Sequence, residues 1–178
     1  MGFMMRIINY YIEIKVVVGY AIIVVVATYI GYSFSRNYVN KYRIYNQLYD
    51  FLNYYKLEVG YSQKRIGQIL EEYAKNNKVS ILKLEEFLEF LRNDFYDKDK
   101  FYFKERIYIL EEKEQIEIEE IFNDLGKYDL IQEKEKIEIL LNRVKNNLDL
   151  AKENKNKYSN LCIKLGLITG CFIVVLLI

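Results

Sequence analysis

Between Val16 and Phe34 the chain runs nineteen residues without a charged side chain, and that stretch limits what the protein can be. As a helix it covers about 28 Å, enough to cross the apolar core of a bilayer. A cleaved secretion signal competes with this reading, but its apolar core spans only about 7–15 residues. Ser33-Phe34-Ser35 is also a poor cleavage site, which favours a retained anchor. A second apolar stretch follows Lys164 and reads LGLITGCFIVVLLI, fourteen residues or about 21 Å of helix. Counted from Leu161 it has eighteen, about 27 Å, with Lys164 reaching back to the surface on its long stem. A half-inserted end is the alternative to a full crossing.

The residues leading into that second stretch are patterned in sevens. From Leu130 the seam reads Leu130, Ile137, Leu141, Val144, Leu148, Ala151, Tyr158, Cys162 and Leu165, interrupted by Lys134 and Lys155. Nine of its eleven positions are apolar or aromatic, against six of the twenty-five others. This contrast predicts one long amphipathic helix with a coiled-coil-like packed face. No Pro or Gly breaks it before Gly166, and Asp129 is placed to cap its start.

Composition sets further bounds. Hydrophobic residues make up 52% and charged residues 29%, a combination that fits apolar ends around a charged middle. From Ser35 to Lys164 there are 24 basic and 24 acidic residues, so the basic excess of a nucleic-acid binder is missing. The chain has no His and no Pro. The first absence removes the commonest acid–base group and metal ligand, and the second leaves long helices unbroken. Cys162 and Cys171 stand nine residues apart on one predicted helix, about 13 Å, beyond disulfide reach. They read as small apolar fillers.

Met1 to Lys15 reads either as a short interfacial helix or as an extension from an upstream start. After the first anchor, Tyr38, Tyr42, Tyr45, Tyr49, Leu52, Tyr55 and Val59 form a helical stripe, so the anchor continues as a helix, with Gly60 as its stop. Ser62 caps a helix to about Lys75 with Ile66, Ile69, Leu70 and Tyr73 inward, and Asn76-Asn77-Lys78 is a turn. Ser80 caps a third helix through about Asn93, carrying Leu84, Phe87, Leu88 and Leu91. A charged connection, Asp94 to Lys100, precedes a fourth helix over about 101–110. A fifth, 111–125, starts with acids suited to a helix N-terminus, presents Ile118, Ile121, Phe122 and Leu125, and ends at Gly126.

Few residues suggest chemistry. No phosphate loop, nucleophile elbow or metal-ligand spacing occurs, so no catalytic, cofactor or metal residue is assigned and no enzyme is expected. Glu111, Glu112, Glu114, Glu117, Glu119 and Glu120 form an acidic run that reads as a solvated helix face, or as a surface for a cation or a basic partner, though no EF-hand spacing occurs. Gly166 and Gly170 form a GxxxG in the second apolar stretch, and Gly19, Ala27 and Gly31 give the first a small-residue face. Small residues let membrane helices approach closely. Arg36, Lys41 and Arg43 flank one anchor, and Lys152, Lys155, Lys157 and Lys164 the other. The positive-inside bias places residues 36–164 in the cytoplasm and both termini outside.

The run Ala27-Thr-Tyr-Ile-Gly-Tyr32 leading into Arg36, Leu125-Gly126 followed by Asp129, and Lys164-Leu-Gly-Leu-Ile-Thr-Gly170 with its aliphatic tail resemble the stage III sporulation protein AB family. The likeness covers all but about the first dozen residues, and between Tyr73 and Lys104 it is only a helical pattern. It implies a membrane protein of endospore-forming bacteria, in the channel-like complex between mother cell and forespore. It further implies a soluble domain similar to the cytoplasmic domains of type II secretion platform proteins. The implied partners are an ATPase-like protein AA and the other membrane proteins of the same operon.

The reading as a whole is all-α: a bundle of about six helices with a membrane-spanning helix at each end. Its parts are an extension (1–15), a first span (16–34), a cytosolic bundle (35–160) and a second span (161–178). The expected role is a non-enzymatic scaffold, and the alternative is a generic two-anchor tether acting through a coiled-coil partner.

Overall fold

In the computed structural model, residues 2–61, 64–76, 81–92 and 100–178 are described, with side chains from residue 13 onward. They form five helices, α1 (Gly2–Tyr61), α2 (Ile66–Asn76), α3 (Leu84–Arg92), α4 (Glu112–Asp124) and α5 (Leu130–Leu177). The expected caps Ser62 and Ser80, the turn after Asn76 and most of the 94–100 connection lie outside the described residues. Contacts divide the chain into two compact units. One comprises Met1–Val39 and Asn154–Ile178, the other Asn40–Glu153.

The first unit pairs the N-terminal part of α1 with the C-terminal part of α5. Gly31 meets Cys162 and Gly166, Ala27 meets Gly166, and Val24 meets Gly170. Ser35 hydrogen-bonds Ser159 at 2.7 Å, and Tyr38 stacks on Tyr158. Each step forward on α1 is matched by a step back on α5, so the pair is antiparallel. Its outward side chains are apolar and exposed, including Val17, Val25, Tyr29, Phe172 and Leu176. Such a surface is far larger than water-soluble proteins leave uncovered. Both helices are long and apolar enough to cross a membrane, and a helix satisfies its own backbone there.

The second unit has its own core. α1 contributes Ile44, Leu48, Phe51, Leu52 and Tyr55, and α2 adds Ile69 and Leu70. Phe87 comes from α3, Ile118 and Phe122 from α4, and Ile137, Leu140 and Val144 from α5. Aromatic rings fill its centre. Phe87 lies 4.7 Å from Phe122 and 5.1 Å from Phe101, centroid to centroid, within the range at which aromatic pairs add to plain burial. Burial also pushes the Tyr73 phenol up to about 12, with the Asp50 charge adding to it. Before α3 the backbone turns through a left-handed Lys83. Gln47 on α1 accepts from the N–H groups of Ile81 and Leu82 there, at 3.0 and 3.1 Å.

Two expectations fail here for physical reasons. The helix count is five rather than about six, because residues 101–110 are not helical. Phe101 and Phe103 are buried while Tyr102 is exposed, the two-residue alternation of extended chain. The backbone of this strap bonds to a polar row spaced by four on α4. Asn123 accepts from Phe101 N–H at 2.7 Å and donates to its carbonyl at 2.9 Å. Glu119 accepts from Phe103 N–H at 3.1 Å, and Gln115 from Ile107 N–H at 3.0 Å. Side chains thus satisfy donors that a helix would have satisfied internally.

The strict heptad seam on α5 is the second. Ile137, Leu141, Val144 and Ala151 are buried, but its ends, Leu130 and Leu165, are 41% and 52% exposed. A straight helix drifts about 20° per heptad from a seven-residue repeat. Over five heptads the first and last positions rotate outward, and the off-seam Glu133 and Leu140 turn inward instead. Asp129 does cap α5, its Oδ1 accepting from the N–H groups of Ile131 and Gln132 at 3.1 and 3.0 Å.

The strap makes a quantitative demand. Asn123→Leu removes three hydrogen bonds and leaves buried backbone groups unpaired, at about 1–3 kcal/mol. Chemical denaturation of the full chain in detergent should show that loss, whereas the exposed Tyr102→Ser should shift stability by less than about 0.5 kcal/mol.

Candidate functional site

Two groups of residues singled out in the sequence occupy the structure in different ways. Gly31, Gly166 and Gly170 come together in the first unit, at the closest approach of α1 and α5. A methyl group built on Gly166 would stand 2.6 Å from the Ala27 carbonyl oxygen and 3.2 Å from the Gly31 Cα. One on Gly170 would stand 2.9 Å from the Val24 Cα, and one on Gly31 would collide with the Cys162 carbonyl. Only a hydrogen atom fits between these backbones, as small-residue packing in membranes requires. By contrast nothing lies within 4 Å of a methyl group placed on Gly19, so the small-residue face of α1 is used over only part of its length.

The acidic run does not act as one surface. Glu114 accepts from the Glu111 N–H at 2.9 Å, closing the first turn of α4, and pairs with Lys41 of α1 at 2.7 Å. Burial, then the Glu114 charge, raises the neighbouring Tyr45 phenol far above its ordinary range. Glu117 faces α5, accepting from Asn147 at 3.3 Å with Arg143 3.9 Å away. Glu119 is buried against the strap. Glu111, Glu112 and Glu120 are exposed, and of these Glu112 and Glu120 flank the exposed Ile116 on one helix face.

The burial of two carboxylates escaped the sequence reading, which counted Glu119 in the acidic run and passed over Glu133. Glu119 accepts from Phe103 N–H and from the Gln115 side chain. Glu133 accepts from Tyr55 Oη at 2.9 Å, from Gly126 N–H at 2.7 Å and from Tyr128 N–H at 3.3 Å. It ties α1 to the turn between α4 and α5, where Gly126 is left-handed at φ 76°. Their signal was position: both sit on the apolar stripe of their helix, where a charge must be partnered. A groove of about 810 Å³ opens beside Glu133, lined by Tyr55, Val59, Ile66, Tyr128 and Leu130. Among the described residues, no group of three or more His, Cys, Asp and Glu side chains could hold a metal ion.

The family model that describes stage III sporulation protein AB matches residues 16–178. No curated protein matches the chain, and no solved structure matches it.

The glycine contact yields a paired test. Gly31→Val or Gly166→Val should cost about 1–3 kcal/mol through overpacking, lowering the thermal midpoint in detergent by about 2–4 °C for each kcal/mol. Gly19→Val, in open space, should leave the midpoint unchanged. Equal effects at all three positions would contradict the contact.

Proposed function

The chain belongs to the stage III sporulation protein AB family, and on that footing we propose that it is a non-catalytic membrane platform subunit. Its place is the secretion-like channel between mother cell and forespore. The observation that carries this reading is the division of the molecule into two units of opposite character. One exposes apolar side chains almost throughout, and the other is a separately cored helical body whose charged groups, Glu119 and Glu133 apart, lie at its surface. An anchored body with its own core offers a surface to partners without need of chemistry.

The proposed topology places that body in the cytoplasm and the unit of paired helices in the membrane that the mother cell contributes. Arg36, Lys155, Lys157 and Lys164 at one end of the paired helices support this orientation by their charge. The proposed partners are the ATPase-like protein AA and the other membrane proteins of the operon, and oligomers of the chain are compatible with such an assembly. Ile137, Leu141, Val144 and Ala151 of the seam are already buried within the chain, which weighs against a tether whose seam must be free for a coiled-coil partner.

The exposed edge of α4 is the proposed contact for protein AA, since an acidic face steers a basic partner. Glu112→Lys with Glu120→Lys should leave the chain folded and inserted, lower its recovery with protein AA at low salt, and reduce heat-resistant spore counts. Glu117→Lys is a poorer probe because it also breaks contacts to α5. Normal sporulation and unchanged recovery of the double variant would remove this edge from the account.

A further inference from the structure

We propose that Arg36, Lys157 and Lys164 form a belt on the paired helices that binds the phosphate groups of anionic phospholipids. The inference rests on the membrane reading of that unit and adds a lipid class to it. The Ser35–Ser159 hydrogen bond marks a common level on the two helices. Arg36 is next to it on α1. On α5, Lys157 lies two residues to one side and Lys164 five to the other, about 3 Å and 7.5 Å along the axis. Lys157 and Lys164 are seven residues apart and share a face, about 200° round from Cys162, which packs on α1. All three are exposed.

Few acids lie near them. Among the described residues of this unit the only acid is Glu13, twenty-two residues before Ser35 on α1, about 33 Å away, and the next on α5 is Glu153, one turn before Lys157. None of the three cations makes an ion pair among the described residues. In the other unit Lys41, Lys56, Lys64, Lys83, Arg92, Lys104, Lys136 and Arg143 are all paired with carboxylates. Arg43, Lys145 and Lys152 make no ion pair among the described residues either, so the belt is set apart by its place, three unpaired cations at one level of an apolar unit, and that place calls for anions from outside the chain.

The surroundings decide which anion. Tyr38 and Tyr158 stack at the same level, 5.5 Å between centroids, and Lys157 lies over the Tyr158 ring at 5.1 Å. Tyrosines at this level suit a membrane–water interface. Beyond them toward Lys164 the surface is apolar and exposed, with Phe34, Leu165 and Ile168 outward. Long cationic stems lying on an apolar surface let their heads reach the headgroup layer. An anion there must bring apolar chains to cover the rest, which a phospholipid does and a free phosphate does not.

The test uses the full chain in vesicles of phosphatidylcholine, with and without phosphatidylglycerol. Flotation and resistance to alkaline extraction check insertion in both. Lipid retained after mild detergent extraction is then identified by mass spectrometry. Phosphatidylglycerol should be enriched over its share of the vesicle, by about fivefold for each engaged cation at low salt. R36Q/K157Q/K164Q should return to the vesicle's composition with unchanged helical circular dichroism, and R36K/K157R/K164R should keep the enrichment. Added inorganic phosphate should leave the bound lipid in place. Absence of enrichment in the inserted wild type, undiminished enrichment in the triple glutamine variant, or displacement by inorganic phosphate would each overturn the proposal. A chain that floats with neither vesicle would overturn the membrane reading itself.

Discussion

The close approach of two helix backbones at Gly31 and Gly166 is what the apolar unit depends on. Nothing between apolar helices in lipid replaces the hydrophobic effect, so association depends on packing and on the few polar contacts available. Here three glycines bring the backbones together, and the buried Ser35 adds a hydrogen bond to the half-buried Ser159 at the same register. Each helix then carries its chain out of the apolar unit into the cored one.

Inside the cored unit, stability rests on how charge is partnered. Glu119 and Glu133 are buried, and each accepts hydrogen bonds from backbone N–H groups. A carboxylate in such a site costs several kcal/mol if its donors are lost. The two therefore fix the strap before α4 and the turn before α5 in single arrangements. The acids that look alike in sequence divide into structural groups, Glu114, Glu117 and Glu119, and outward ones, Glu112 and Glu120. Only the outward pair is available to another molecule without loss of internal contacts.

Much of this was legible from residue spacing. The inward faces of α2 and α4, Ile66, Ile69, Leu70 and Tyr73 on one and Ile118, Ile121 and Phe122 on the other, follow the helical period directly. So do the two charge-free spans. The strap over 101–110 was not legible because Phe103, Ile107 and Leu110 also fit a helical spacing. What decides against a helix is the row Gln115, Glu119 and Asn123 on another element, and tertiary contacts override local pattern. The ends of the heptad seam misled for a related reason. A seven-residue repeat holds one face inward only on a supercoiled helix and drifts round a straight one, which leaves Leu130 41% exposed. The contact of Gly31 with Gly166 was visible as two small-residue faces, but the register between them was not.

Cross-linking within the membrane tests the central claim most directly. In a background with Cys162 and Cys171 replaced by alanine, Ser35→Cys and Ser159→Cys would stand where the native hydroxyls are 2.7 Å apart, within disulfide reach. Mild oxidation of membranes should then join the two positions inside a single chain, while Ser33→Cys with Ser159→Cys should remain reduced. A disulfide that forms only between chains, or equal cross-linking of the two pairs, would contradict an antiparallel pair of terminal helices in one molecule.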